Sequence, residues 1–143
     1  KVKVGGPLAA NPRSCCAGYH TLAEIERTDA CVKAGRAGDR ITKGLNELID
    51  KYGLPYVAFN QGAICHLETA GTLYVKIKIS KIKKVLAEIN ERKKLMEEMG
   101  AAYMAEGIVT LAGSRLYTSM ADTDEVIDDA LNRFENVFKH IKK

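Results

Sequence analysis

Residues 56–68, YVAFNQGAICHLE, decide how this chain is read. The runs 56–59 and 63–68 are rich in residues that suit a pleated, half-buried surface. Between them stand Asn60, Gln61 and Gly62, which is turn chemistry: Asn bonds its own backbone and Gly admits positive φ. The stretch predicts a β-hairpin. Both of its flanks have helical periodicity, so the hairpin makes the chain an α+β protein rather than a bundle of helices.

Upstream, Asn11 is a good N-cap and Pro12 suits a first helical turn. Cys15, Tyr19, Leu22 and Ile25 then recur at helical spacing. Thr28-Asp29 can cap a second helix, with Ala34, Ala37, Ile41, Leu45, Leu48 and Tyr52 along one face. Gly53 ends it, and Pro55 prevents its return. Downstream, LYVKIKIS (73–80) alternates, with Leu73, Val75, Ile77 and Ile79 on one side and Tyr74, Lys76 and Lys78 on the other. It is either a strand with one buried and one wet face or the lead-in to the next helix. From Ser80 a long helix carries Ile82, Val85, Ile89, Met96, Met99 and Tyr103, until Gly107 breaks it. Residues 108–111 and 116–120 read as two strands around Ala112-Gly113-Ser114. Asp122 and Glu125 hold the spacing of a capping box. A last helix follows, with Val126, Ile127, Ala130, Leu131, Phe134, Val137, Phe138 and Ile141 as its core stripe. The expected architecture is an antiparallel sheet of three to five strands with helices on one face, preceded by a long helix.

With 143 residues the chain is one domain by length, and 46% apolar with 28% charged residues is a globular composition. A net charge of +4 fits a solvated surface better than a nucleic-acid footprint. No run approaches the roughly 18 apolar residues of a membrane span. Of the four cysteines, Cys15 and Cys16 are adjacent and cannot both turn toward one metal from a helix, and there is no CxxC pair. Buried free thiols in a reducing, cytoplasmic compartment are the expectation, with no metal site.

Catalytic motifs are thin. GxxxxGK[ST], GxSxG, HExxH and a complete GxGxxG are all absent. His20, His66 and His140 are scattered, with no nucleophile at a fixed offset. Cys65 and His66 are neighbours on a strand and so point to opposite faces. Lys76, Lys78, Lys81, Lys83 and Lys84 form the one basic cluster, and a solvated strand–helix corner is its simpler reading. Gly5-Gly6 before a helix start offers free N–H groups of the kind that hold phosphate, although glycine turns before helices are common.

The stretch GGPLAANPRSCCAGYHTLAEIE (5–26) resembles the GGTLAANPLxCAAGxxTLxxIE segment of class III pyridoxal-phosphate-dependent aminotransferases, in particular the branch around glutamate-1-semialdehyde 2,1-aminomutase. The similarity continues through AGRAGDRITKGLNELIDKYGLPYVAFNQGAICHLE (34–68) and ends in RLYTSMADTDEVIDDALNRF (115–134), three segments in the family's order. The resemblance implies the C-terminal small domain of such an enzyme. Residues 1–27 would be the glycine turn and linking helix from a large domain, and 28–143 the α+β domain. It implies pyridoxal 5'-phosphate as cofactor, held as a Schiff base on a lysine that this chain does not contain, and so no catalytic residue in the chain itself. Gly6, Pro7 and Leu8 would reach the cofactor phosphate of the other subunit. Pro7, however, stands where the family has Thr, and Asp122 where it has His.

Arg115 is the candidate for binding a substrate carboxylate, because the resemblance implies a small domain that supplies groups closing over the substrate and a guanidinium suits bidentate pairing; the alternative is a surface arginine at a strand start. The implied partners are a large cofactor domain, a second identical subunit and a small amino-acid substrate, with no nucleic acid and no membrane. The implied function is the C-terminal part of an aminotransferase or aminomutase acting on an amino acid or amino-acid semialdehyde. The alternative is a stand-alone, non-catalytic module of the same fold. A basic module binding nucleic acid through residues 76–84 lacks the aromatic platforms such binding uses.

Overall fold

The structure, a computed structural model, describes residues 11–69 and 82–141, with the side chains of 82–88 left out. Among these residues the order is α1 (Pro12–Thr28), α2 (Ala30–Tyr52), β1 (Val57–Gln61), β2 (Ile64–Glu68), α3 (Ile82–Ala105), β3 (Arg115–Tyr117) and α4 (Asp124–Phe138). The three strands form one antiparallel sheet in the order β1-β2-β3. This is the expected α+β architecture, with α2 packed on the sheet and α4 on α2.

α1 starts where the sequence says: the Asn11 side chain accepts from the Arg13 N–H at 3.0 Å, and Pro12 opens the first turn. No residue of α1 is buried. Asp29, at φ 52, both closes α1 and precedes α2. It therefore stands at the expected cap position but makes no side-chain cap bond, because an N-cap needs an extended backbone to aim its oxygen at the helix. α2 buries Ala34, Ala37, Ile41, Leu45 and Ile49, with Leu48 and Tyr52 partly covered. Ile49 lies beside the stripe read from the sequence and widens it.

In the hairpin, Asn60 and Gln61 belong to β1, and the turn is Gly62-Ala63, closed by the pair Gln61 and Ile64. Gly62 has φ 57, which is where a two-residue hairpin needs glycine. Ala58 turns its N–H and C=O toward the open edge of the sheet. There the Asn46 amide takes both, donating to Ala58 O at 2.9 Å and accepting from Ala58 N at 3.2 Å. This side chain blocks an edge that would otherwise offer unpaired backbone.

The expected strand over 108–111 does not form. The Ile108 N–H closes the end of α3 on Tyr103 O at 2.9 Å, and among the described residues Leu111 pairs only with Arg115, across a tight turn. With its backbone groups used at both ends, the segment has no ladder to join. β3 is also shorter than 116–120, ending at Tyr117 before a turn. The N-cap of α4 is Thr123 rather than Asp122, and Asp122 instead accepts from Ser119 N at 2.6 Å, so the capping box is not made. On α4, Ile127, Phe134, Val137 and Phe138 are buried, whereas Val126 is exposed, one position off the buried face. The stretch 73–80 lies outside the described residues.

The core closes within the chain. Phe134 sits between Tyr103, at 5.0 Å edge-on, and Phe138 at 6.2 Å, and Tyr56 covers Phe138 at 6.0 Å. Each fully buried ring contributes about 1.5–3 kcal/mol of hydrophobic stabilisation. At the surface, Arg40 of α2 pairs with Asp124 and Asp128 of α4, and Glu135 accepts from Lys51 Nζ and Tyr52 Oη at 2.7 Å each.

Candidate functional site

The sheet has two different faces. Ala58, Cys65, Leu67 and Leu116 point into the core. The residues between them point outward, and the pairing places them in rows: Gln61, Ile64 and Tyr117; Phe59, His66 and Arg115; Val57 and Glu68. Phe59 is 48% exposed and Tyr117 57% exposed, high for aromatic rings on a sheet. Arg115, the residue singled out in the sequence, is exposed at the start of β3 in the middle row.

His66 is its cross-strand neighbour. The imidazole stacks on Phe59 with ring centroids 5.0 Å apart and planes within 2° of parallel, and its Nδ1 lies 3.8 Å from Glu68 Oε1. The sequence had treated His66 as an isolated histidine. The available signal was the hairpin alternation, which puts His66 on the same face as Ile64 and Glu68. The partner on β3 was not legible locally. Cys65 is on the other face, fully buried, with its Sγ 3.6 Å from Gly38 O. Burial pushes its thiol pKa up, so it is a packing residue rather than a nucleophile. The structure thus keeps Cys65 and His66 apart, as strand geometry requires.

The other sequence candidates lie elsewhere. His20 is on exposed α1 beside Tyr19, and His140 contacts Asn136 O at 2.8 Å past the end of α4. Cys15, Cys16 and Cys31 are exposed, which corrects the expectation of four buried thiols; α1 packs no face inward, and Cys31 is off the buried face of α2. Among the described residues no three His, Cys, Asp or Glu side chains converge on a metal position. Gly6, Pro7 and Leu8 and the lysine cluster at 76–84 fall outside the described side chains. A groove of about 430 Å³ runs between α3 and the 111–115 turn, lined by Ile89, Met96 and Ala112 with Arg92, Lys93 and Glu97 at its rim. No helix among the described residues is long and apolar enough to cross a membrane.

The fold is similar to part of a solved structure. It matches an omega-transaminase from Sphaerobacter thermophilus with a TM-score of 0.71 at 15% identity, over 96% of this chain and 30% of that one. In sequence the chain is 28% identical over 141 residues to a glutamate-1-semialdehyde 2,1-aminomutase of Pyrobaculum calidifontis, covering 96% of this chain and 30% of the relative. It is 27% identical over 136 residues to the protein of the same name from Persephonella marina, covering 95% of this chain and again 30% of the relative. No protein-family profile matches the chain. The chain is thus similar to part of proteins named glutamate-1-semialdehyde 2,1-aminomutase, in line with the resemblance read from its sequence, and it spans about 30% of the length of the relatives it matches.

Proposed function

We propose that the chain is the C-terminal part of a pyridoxal-phosphate-dependent aminotransferase or aminomutase, acting on an amino acid or amino-acid semialdehyde and incomplete without a large domain. Residues 1–27 are then the glycine turn and linking helix, and 28–143 the small domain. The observation that carries the reading is similarity along nearly the whole chain to about 30% of an aminomutase. The fold supports it independently.

The described residues do not by themselves fit pyridoxal phosphate. Every lysine whose side chain is described is exposed, and a Schiff-base lysine has to be enclosed beside its substrate. On this reading the cofactor lysine belongs to the large domain, in a cytoplasmic homodimer whose sites are shared, with Gly6, Pro7 and Leu8 serving the phosphate of the other subunit. The role left to this chain is to bind and orient substrate, and Arg115 is its carboxylate-binding group: exposed on the sheet, always charged, and able to bond both carboxylate oxygens.

The test is the polypeptide made from the native gene. Its intact mass should be roughly three times that of 143 residues, as the 30% coverage implies, and it should carry pyridoxal phosphate. A native product of 15.7 kDa without cofactor overturns the proposal in favour of a stand-alone module.

A further inference from the structure

We propose that Phe59, His66 and Arg115 act as one carboxylate-binding row, with His66 as a second donor beside Arg115 and Phe59 as the residue that positions the imidazole. The ligand is a small carboxylic acid with an apolar stem, its carboxylate between His66 and Arg115 and its stem along Ile64 and Tyr117. The inference rests on reading Arg115 as a carboxylate site and adds to it the residues that give that site geometry.

Three observations carry it. First, the pairing brings the two donors together. Leu67 N donates to Ser114 O at 2.8 Å on one side of the pair and Thr118 N to Ala63 O at 2.9 Å on the other. His66 with Arg115, and Ile64 with Tyr117, are therefore non-hydrogen-bonded pairs, the class in which opposite side chains come closest, with Cα atoms about 4.5 Å apart. Second, the imidazole is held. A ring stacked parallel on Phe59 must present its N–H edge in the plane of the stack, and with Nδ1 toward Glu68 the other nitrogen has no partner among the described residues. An imidazole can donate from a ring nitrogen in either charge state. Third, the Arg115 side chain has no hydrogen bond or ion pair among the described residues, although Glu68 stands diagonally across the sheet. Two donors at directly opposed cross-strand positions, with Arg115 unpaired among the described residues, suit a carboxylate, which can accept from both. Two residue pairs further along the strands on the same face, about 6.8 Å away, Ile64 and Tyr117 supply a half-exposed apolar strip where a stem can lie.

The chain closes its own core, so the test can be made on its 143 residues. Isotope-labelled protein is titrated with butyrate, and separately with butyramide, its uncharged counterpart, at constant ionic strength. Butyrate should move the His66 and Arg115 resonances along a saturating curve, and butyramide should not. Arg115→Lys and His66→Ala should each weaken butyrate about three- to tenfold, a change of up to about 1.4 kcal/mol. Phe59→Leu should weaken it and change the His66 ring-proton shifts, and Phe59→Tyr should restore both. All these positions have exposed or half-exposed side chains, and dispersed spectra check that each variant is folded. If Arg115→Lys weakens binding while His66→Ala does not, the row is refuted and Arg115 alone remains the site. If butyrate and butyramide behave alike, or no variant responds, the row fails and so does the Arg115 assignment, whereas the mass and cofactor content of the native product report separately on the enzyme reading.

Discussion

Gly38 offers a substitution whose sign depends on tertiary structure alone. It lies inside α2, where replacing glycine by alanine in an isolated helix gains about 1 kcal/mol. A methyl group at Gly38 would overlap the carbonyl oxygen of Gly62 and come within 3.3 Å of Cys65 Sγ. The obstacle is backbone, so no rotamer change relieves it; the hairpin turn has to move away from the helix. Overpacking of this kind costs about 1–3 kcal/mol. Moving the Gly62 carbonyl also disturbs the bond it accepts from Asn60 Nδ2 at 3.0 Å, a further loss of about 1 kcal/mol. Taking about 3 kcal/mol for the two together and subtracting the propensity gain leaves Gly38→Ala less stable by about 2 kcal/mol. For a chain of this size that lowers Tm by roughly 6–10 °C. Gly35 in the same helix is the control, because its added methyl would meet only Gly62 Cα at 3.8 Å, an ordinary contact. Gly35→Ala should raise stability by about 0.5–1 kcal/mol. The assay is urea and thermal unfolding followed by far-ultraviolet circular dichroism, with unchanged m-values as the sign that only stability has moved. If Gly38→Ala is as stable as Gly35→Ala, the close approach of α2 to the hairpin is wrong.

Asp29 holds a left-handed conformation without a cap bond, so Asp29→Gly should stabilise the α1–α2 junction by up to about 1 kcal/mol in urea unfolding. The Lys51 ammonium, and then the Tyr52 hydroxyl, hold the Glu135 carboxyl below its usual range. Its contribution is full above the unfolded value of about 4.3 and is lost as pH falls through the lower folded value, so Glu135→Gln should flatten the acid limb of the stability profile. Native protein should react with a thiol reagent at Cys15, Cys16 and Cys31 quickly, and at Cys65 only on unfolding; rapid labelling of all four would refute the burial of Cys65. Tyr19 and Leu22 on α1 are 70% and 68% exposed, so the isolated chain should self-associate in sedimentation experiments, and Tyr19→Glu with Leu22→Glu should reduce it. If the proposed function holds, Arg115→Lys in the complete protein should lower kcat/KM for a carboxylate-bearing substrate about ten- to a hundredfold and affect an amine without a carboxylate far less.

The sequence by itself determined the helices α1, α2 and α4, the hairpin and the α+β class, because each has a local cause: a cap at Asn11, a period of apolar residues along α2, a glycine in the Gly62 turn. It also marked Arg115. What it could not carry was the destination of each face. Residues 108–111 have the composition of a strand, but their backbone groups are taken by α3 and by Arg115, and only the folded chain shows that. Val126 and Phe134 belong to one apolar stripe, and the packing of α2 and α3 against α4 decides that the first stays in water. His66 and Phe59 were ordinary residues of a hairpin until β3, arriving from far along the chain, set Arg115 opposite His66. Local periodicity and caps act within a few residues and can be read in order. Strand register and face burial are long-range choices among several pairings of similar local energy, and they are made only when the whole core closes.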